Sequence, residues 1–235
     1  KAAKKAKIPV IGWHAAATSG PQPSLGLYTN VTTLRADVSK ISADWVIADS
    51  KGVGGVVIFT DSSIPFAEGK SQEIKAEVET CPSLKLLDYA NIPIGDTIST
   101  LVQSKTTALL AQYGDQWTHS ISINGGLYIT PMAAALRAAG KSGTGYPHNV
   151  GAGDGSEDEY QRIKSGDFQS VTVPEPLTMQ GWQIVDEFNR AFAGKKPSGY
   201  QPVVHLVTKA NAGSSTQWDP QNGYRAQYKK IWGVK

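Results

Sequence analysis

Short runs rich in Val and Ile recur along this chain, and between almost every two of them lies a segment whose apolar residues repeat at helical spacing. Parallel strands cannot be joined by a tight turn, so an alternation of this kind points to βαβ units built around a parallel sheet. The predicted strands are 8–12, 26–30, 55–60, 84–91, 120–124, 148–152, 168–173 and 202–208. Most are apolar on both faces, as strands covered by helices on two sides require. Between them, Val38, Ile41 and Trp45 mark a helix within 32–48, and Trp182, Val185, Phe188 and Phe192 mark another after Gly181.

Three stretches rich in Pro, Gly or Ser break this rhythm: 14–23, 174–176 and 195–202. Segments of that composition between βα blocks read as crossings from one lobe to another. Three crossings mean that the chain leaves a lobe, returns and leaves again. At the start, residues 1–7 read as the last turns of an amphipathic helix with no start signal before it, which predicts that the fold begins upstream of Lys1. At the other end, 218–232 reads as a short docked helix with Trp, Tyr and Ile on one side. Trp45, Trp182, Trp218 and Trp232 are predicted to pack from helix faces.

Several function classes are excluded or left without support. The 23 Lys and Arg exceed the 20 Asp and Glu by only three, and four of the lysines lie in the first seven residues. A nearly neutral remainder argues against a nucleic-acid partner. The single cysteine, Cys81, rules out an internal disulfide framework and reads as a structural thiol at a helix end. No run of 18 apolar residues is present, and the start lacks the apolar stretch of a signal peptide. Gly140-Lys-Ser142 lacks the earlier glycine of a phosphate loop and reads as a helix C-cap and turn. There is no Gly-x-Ser-x-Gly elbow and no cofactor fingerprint, and the four histidines (His14, His119, His148, His205) have no metal-ligand spacing. The sequence therefore predicts no enzyme, no cofactor and no metal.

What remains is a set of polar and aromatic residues at the C-terminal ends of predicted strands, where open α/β sheets bind ligands. Trp13 and His14 follow the strand 8–12, Asn124 ends 120–124, Asp154 follows 148–152, and Glu175 follows 168–173. An indole covers the CH face of a sugar ring, while Asn, Asp and Glu bond its hydroxyls. Each residue also has a plain structural reading. Asp154 suits a cap for a helix starting near Ser156, Glu175 between two prolines suits a strand terminator at a hinge, and Trp13 suits core packing.

The runs Ile8-Pro-Val-Ile-Gly-Trp13, Asp44-Trp-Val-Ile-Ala48, Gly55-Val-Val-Ile-Phe-Thr60, Ser122-Ile-Asn124, Ala134-Ala-Leu-Arg-Ala-Ala-Gly140, Gly151-Ala-Gly-Asp-Gly-Ser156, Ile163-Lys-Ser-Gly166 and Val173-Pro-Glu-Pro176 with Gly181-Trp182 resemble, in order and spacing, the ribose-binding type of periplasmic solute-binding protein. The resemblance covers nearly the whole chain. It implies the periplasmic binding protein type I fold, an α/β architecture of parallel sheets flanked by helices in two lobes, with the first lobe incomplete here. It further implies that 1–14 is a remnant of the first lobe, 24–173 the second lobe, 177–197 a first-lobe helix, and 201–235 a return to the second lobe followed by a tail. By the same resemblance Trp13 and His14 grip the ligand, and Asn124, Asp154 and Glu175 fall at positions bearing ligand-binding polar residues. An arginine often contacts sugar from the helix after 55–60. Phe66 stands near that position here, implying a stacking ring where the family has a fork donor.

The reading is a periplasmic binding protein, not an enzyme, that holds a sugar or polyol between its lobes and delivers it to an ABC permease. Trp13 and Phe66 would stack on the ligand while Asn124, Asp154 and Glu175 bond it. Two alternatives share the fold: the effector domain of a LacI-like transcription regulator and the sensor domain of a membrane receptor. An exposed sheet edge in the incomplete lobe predicts pairing into a homodimer.

Overall fold

The computed structural model describes residues 2–235 of the chain. Its elements, in order, are α1 (Ala2–Lys5), β1 (Ile11–Trp13), β2 (Gly20–Gln22), β3 (Leu27–Val31), α2 (Arg35–Asp49), β4 (Gly54–Thr60), α3 (Pro65–Val78), β5 (Leu84–Asn91), α4 (Ile98–Tyr113), β6 (His119–Ser122), α5 (Gly125–Ala138), β7 (His148–Ala152), α6 (Glu157–Ser165), β8 (Val171–Val173), α7 (Leu177–Phe192), β9 (Val207–Thr208) and α8 (Tyr224–Trp232).

The strands form two sheets. The larger has the order β5-β4-β6-β7-β8-β9, with every pairing parallel except the last. Strand β4 shows why its residues are apolar throughout. Val56 and Ile58 join a core with Val38 and Val46 of α2 and Ile74 and Val78 of α3. Val57 and Phe59 point the other way, into a second core with Val102 and Leu109 of α4, Trp117, and Tyr128, Met132 and Leu136 of α5. Period-2 alternation thus feeds two layers of helices from one strand. Cys81 is a free thiol packed against the first of these cores. The strand order reverses at β4, since the chain goes out to β5 and returns past it to β6. That reversal opens a crevice at the C-terminal strand ends.

The smaller sheet has the order β1-β3-β2, with β1 parallel and β2 antiparallel to β3. Helix α7 packs on β1 and β3. Gly12 of β1 lets the neighbouring side chains pack close, because a Cβ there would lie 2.7 Å from Asn30 Oδ1 and 2.8 Å from Leu27 Cδ1 and would displace them. Asn30 in turn holds the following loop, accepting from Ala15 N at 3.0 Å and donating to Thr18 O at 2.8 Å.

Several details differ from the sequence reading. Strand β3, expected within the 24–173 block, pairs with β1 in the small sheet. Strand β2 lies inside 14–23, where only a crossing was expected. Strand β8 starts at Val171 rather than at 168, because Phe168 adopts a φ of +56°, which no strand accommodates. In 201–235, β9 joins the large sheet, but α8 docks on α7 through the parallel rings of Trp182 and Trp232, 5.4 Å apart. Trp218 precedes that helix and stacks on His205 at 4.1 Å, instead of packing from a helix face.

Candidate functional site

Six residues come together where the two sheets meet. Trp13 ends β1, and its Nε1 donates to Gln180 Oε1 of α7 at 2.7 Å. His14 follows with a φ of +49°, a left-handed backbone uncommon for residues other than glycine. That turn places the imidazole between two rings: Trp13 at 4.9 Å and Phe66 at 5.3 Å between centroids. Trp13 remains 49% exposed, so one end of this aromatic stack is open to a ligand. Phe66 is only 6% exposed, with its ring nearly parallel to His14. The stacking face expected of Phe66 is therefore taken by the protein's own imidazole.

Glu175 lies at the end of β8 and is 2% exposed. Its Oε2 accepts from Thr33 Oγ1 at 2.6 Å and from Gln180 Nε2 at 3.2 Å, and His14 Nε2 approaches to 3.0 Å without hydrogen-bond alignment. Gln180 thus ties the indole of Trp13 to the carboxylate of Glu175, joining the small sheet to the large one. Burial alone would raise the Glu175 pKa. The His14 imidazole, the Lys70 ammonium and the Thr33 hydroxyl outweigh it and bring the carboxyl down to about 2.

Asn124 and Asp154 form the second half of the site. Asn124 is the N-cap of α5, its Oδ1 accepting from Leu127 N at 2.9 Å, while its Nδ2 donates to Asp154 Oδ2. Asp154 is not the cap of the next helix. That position belongs to Ser156, whose backbone N–H donates to Glu159 Oε2 at 2.9 Å in a capping box. Asp154 instead stands in a left-handed turn with a φ of +51°, between Gly153 and Gly155. Burial raises its pKa against the opposing pull of Lys70.

Lys70 joins the two halves, and no sequence signal marked it. On α3, one turn beyond Phe66, it is 4% exposed, and its Nζ donates to Ile123 O at 2.9 Å and to Ala152 O. Its charge acts on both Glu175 and Asp154. Gly153 sits where they converge: a Cβ there would lie 2.8 Å from Lys70 Nζ and 3.5 Å from Glu175 Oε1. Thr33 and Gln180 were likewise unmarked in the sequence. The assembled site has one partly open indole, carboxylate and amide groups, and one buried cation. Such a set can cover an apolar ring face and bond several hydroxyls.

Comparison with known proteins agrees with this architecture. The sequence profile of the family described as "Periplasmic binding protein domain" matches residues 1–196, and the chain belongs to that family. Among solved structures, the ABC sugar transporter subunit from Rhodobacter sphaeroides 2.4.1 superposes with a TM-score of 0.75 at 21% identity, over 89% of this chain and 72% of that one. An ABC transporter solute-binding protein from Agrobacterium vitis with bound allitol gives a TM-score of 0.75 at 20% identity, over 90% and 70%. A periplasmic solute-binding protein from Actinobacillus succinogenes 130z with bound D-allose gives 0.76 at 17%, over 91% and 72%. No curated protein matches the chain in sequence. The fold is thus that of the periplasmic binding proteins, as the sequence resemblance implied.

Proposed function

We propose that this protein is the solute-binding component of an ABC transporter and that it takes a sugar or polyol at the seam between its two sheets. The observation that carries the reading is the anchoring of Trp13. Its indole is fixed by Gln180 and stacked on His14 yet remains half exposed, and His14 in turn lies within electrostatic reach of Asp154. A ring held in that way offers apolar area without losing side-chain entropy on binding. The bound allitol and D-allose of the structural relatives fit the same chemistry. Asn124 and Asp154 bond ligand hydroxyls, and Trp13 and His14 line the ligand face. Phe66 and Glu175 act from behind, holding His14 and Gln180 in place.

The function is binding rather than catalysis. Contacts from both sheets exist together only in the closed arrangement, so the ligand stabilises closure by its differential affinity for that state. Micromolar binding, about −8 kcal/mol, is reached by stacking and a few charge-assisted hydrogen bonds after ordering costs. The same reading assigns the protein to the periplasm, an ABC permease as its membrane partner, and pairing of two chains through the small sheet.

Titration calorimetry against a panel of aldoses, ketoses and alditols tests this directly. At least one member is expected to bind, and both Trp13→Ala and Asp154→Ala to weaken it about tenfold or more. Because Ser156 does the capping, Asp154→Ala should lower the melting temperature of the free protein only by the cost of an alanine at positive φ, about 1 kcal/mol. If no member of the panel binds, or if the Asp154→Ala protein binds like the wild type, the assignment of this site is wrong.

A further inference from the structure

Three side chains that the sequence keeps far apart converge at the other end of the large sheet. His119 and His148 open the neighbouring strands β6 and β7 and are register partners. Asp49 is the last residue of α2. Asp49 Oδ2 lies 3.0 Å from His119 Nε2 and 2.6 Å from His148 Nδ1, and the three ligand atoms all fall within 4.8 Å of one another. This end of the sheet is opposite the strand ends that carry Asn124 and Asp154. We propose that Asp49, His119 and His148 form a divalent transition-metal site of the zinc class, independent of the sugar site.

Four features support a metal over a simple hydrogen-bonded trio. First, the three ligand atoms are gathered within reach of one ion. With metal–ligand bonds of about 2.0–2.1 Å, neighbouring ligand atoms stand roughly 3.3 Å apart. The Asp49 carboxylate, now 3.0 Å from His119 and 2.6 Å from His148, therefore has to draw back from both rings, and side-chain rotation at the partly exposed Asp49 and His148 allows it. Second, the scaffold is rigid. His119 is fully buried, and Tyr146 lies against both imidazoles, 5.7 Å from His119 and 4.6 Å from His148. Asp49 and His148 are partly exposed, which leaves an entry path and room for water as a fourth ligand.

Third, the outer partner that orients a metal-bound imidazole is in place. His119 Nδ1 lies 2.9 Å from Thr118 Oγ1, which is itself 3.2 Å from Gly55 O. With the Thr118 proton directed to Gly55 O, its oxygen accepts from Nδ1–H and leaves the Nε2 lone pair aimed at Asp49. Fourth, Asp49 is at the wrong end of its helix. A carboxylate at a helix C-terminus meets the negative end of the dipole, and the last turn of α2 holds no basic residue. A bound cation would resolve that conflict. Two imidazoles and one carboxylate favour Zn²⁺, Ni²⁺ or Cu²⁺ over Ca²⁺ or Mg²⁺, which need oxygen-rich shells.

The test uses the 235-residue chain stripped with a chelator and titrated with Zn²⁺, and with Co²⁺ as a spectroscopic probe. One Zn²⁺ per chain is expected, with the intense visible absorption of four- or five-coordinate Co²⁺ that Zn²⁺ then abolishes. His148→Gln and Asp49→Asn, both at partly exposed positions, should each weaken Zn²⁺ by more than about a hundredfold, since loss of an outer partner alone costs 10–100-fold. His205→Gln should leave it unchanged. Circular dichroism confirms that each variant is folded. If the wild type shows no one-to-one binding, or if His148→Gln and Asp49→Asn bind Zn²⁺ as tightly as the wild type does, the trio is a hydrogen-bonded support and the proposal fails. Sugar titrations are unaffected by either result.

Discussion

Glu175 and Asp154 are carboxylates at neighbouring strand ends that share one cation, yet their environments push them in opposite directions. Asp154 is raised by burial, with Lys70 opposing, whereas Glu175 is buried too but is brought down to about 2 by His14, Lys70 and Thr33. A carboxyl whose folded pKa is depressed favours the folded state above its unfolded value and loses that contribution as pH falls towards the folded one. For Glu175 the window runs from about 4.5 down to about 2, and the contribution is about 3 kcal/mol. We expect urea midpoints of the wild type to fall between pH 5 and pH 3 more steeply than those of Glu175→Gln, because the amide cannot titrate. Equal slopes would show that Glu175 is not held as a buried anion. At this scale the sequence was legible only in part. The strand-end rule found positions 13, 14, 124, 154 and 175, but Gln180 and Thr33 are 167 and 142 residues from their partners Trp13 and Glu175. Lys70 looks like any lysine on a helix until α3 is laid across the ends of β6 and β7.

Two helices that start at the site show how an element's own needs compete with function. Asn124 caps α5 and Ser156 caps α6, so each supplies an acceptor at a helix N-terminus, where Ala substitution costs about 1 kcal/mol. Only Asn124 also donates to Asp154. Asn124→Ala and Ser156→Ala are therefore expected to lower stability by similar amounts in urea melts, while Asn124→Ala alone weakens sugar binding markedly. Equal binding by the two variants would reduce Asn124 to a cap. The order of strands and helices was readable from the chain because a strand such as β4, buried on both faces, carries a long apolar run, and the helices between strands repeat their apolar residues at helical spacing. The ends were less so. A residue such as Phe168 adopts a positive φ for tertiary reasons that no local pattern announces, and β2, with the sequence Gly-Pro-Gln, has none of the residues that favour strands.

The two sheets are unequal, and that asymmetry shapes the molecule as a whole. The six-stranded sheet is sandwiched between pairs of helices, whereas the three-stranded one has α7 against it and two edges, β1 and β2. Beside it lies a groove of about 560 Å³ lined by Ile8, Pro9, Val10, Leu27, Tyr28 and Phe192, among others. Ile8 is 58% and Phe192 72% exposed, and both line this one groove. Sheets of so few strands gain stability by adding strands or by covering a face, and a second copy of the chain offers both, provided that about 800 Å² is buried on each partner. The expected result by light scattering is a mass that rises from one chain towards two with concentration. Phe192→Glu, which introduces an unpaired charge into the covered groove, should hold the mass at one chain without altering sugar affinity, since the groove lies away from Trp13 and Asp154. A wild-type mass of one chain at all concentrations would mean that the small sheet is stable with its edges open, sustained by α7 and by the Trp13–Gln180–Glu175 chain alone.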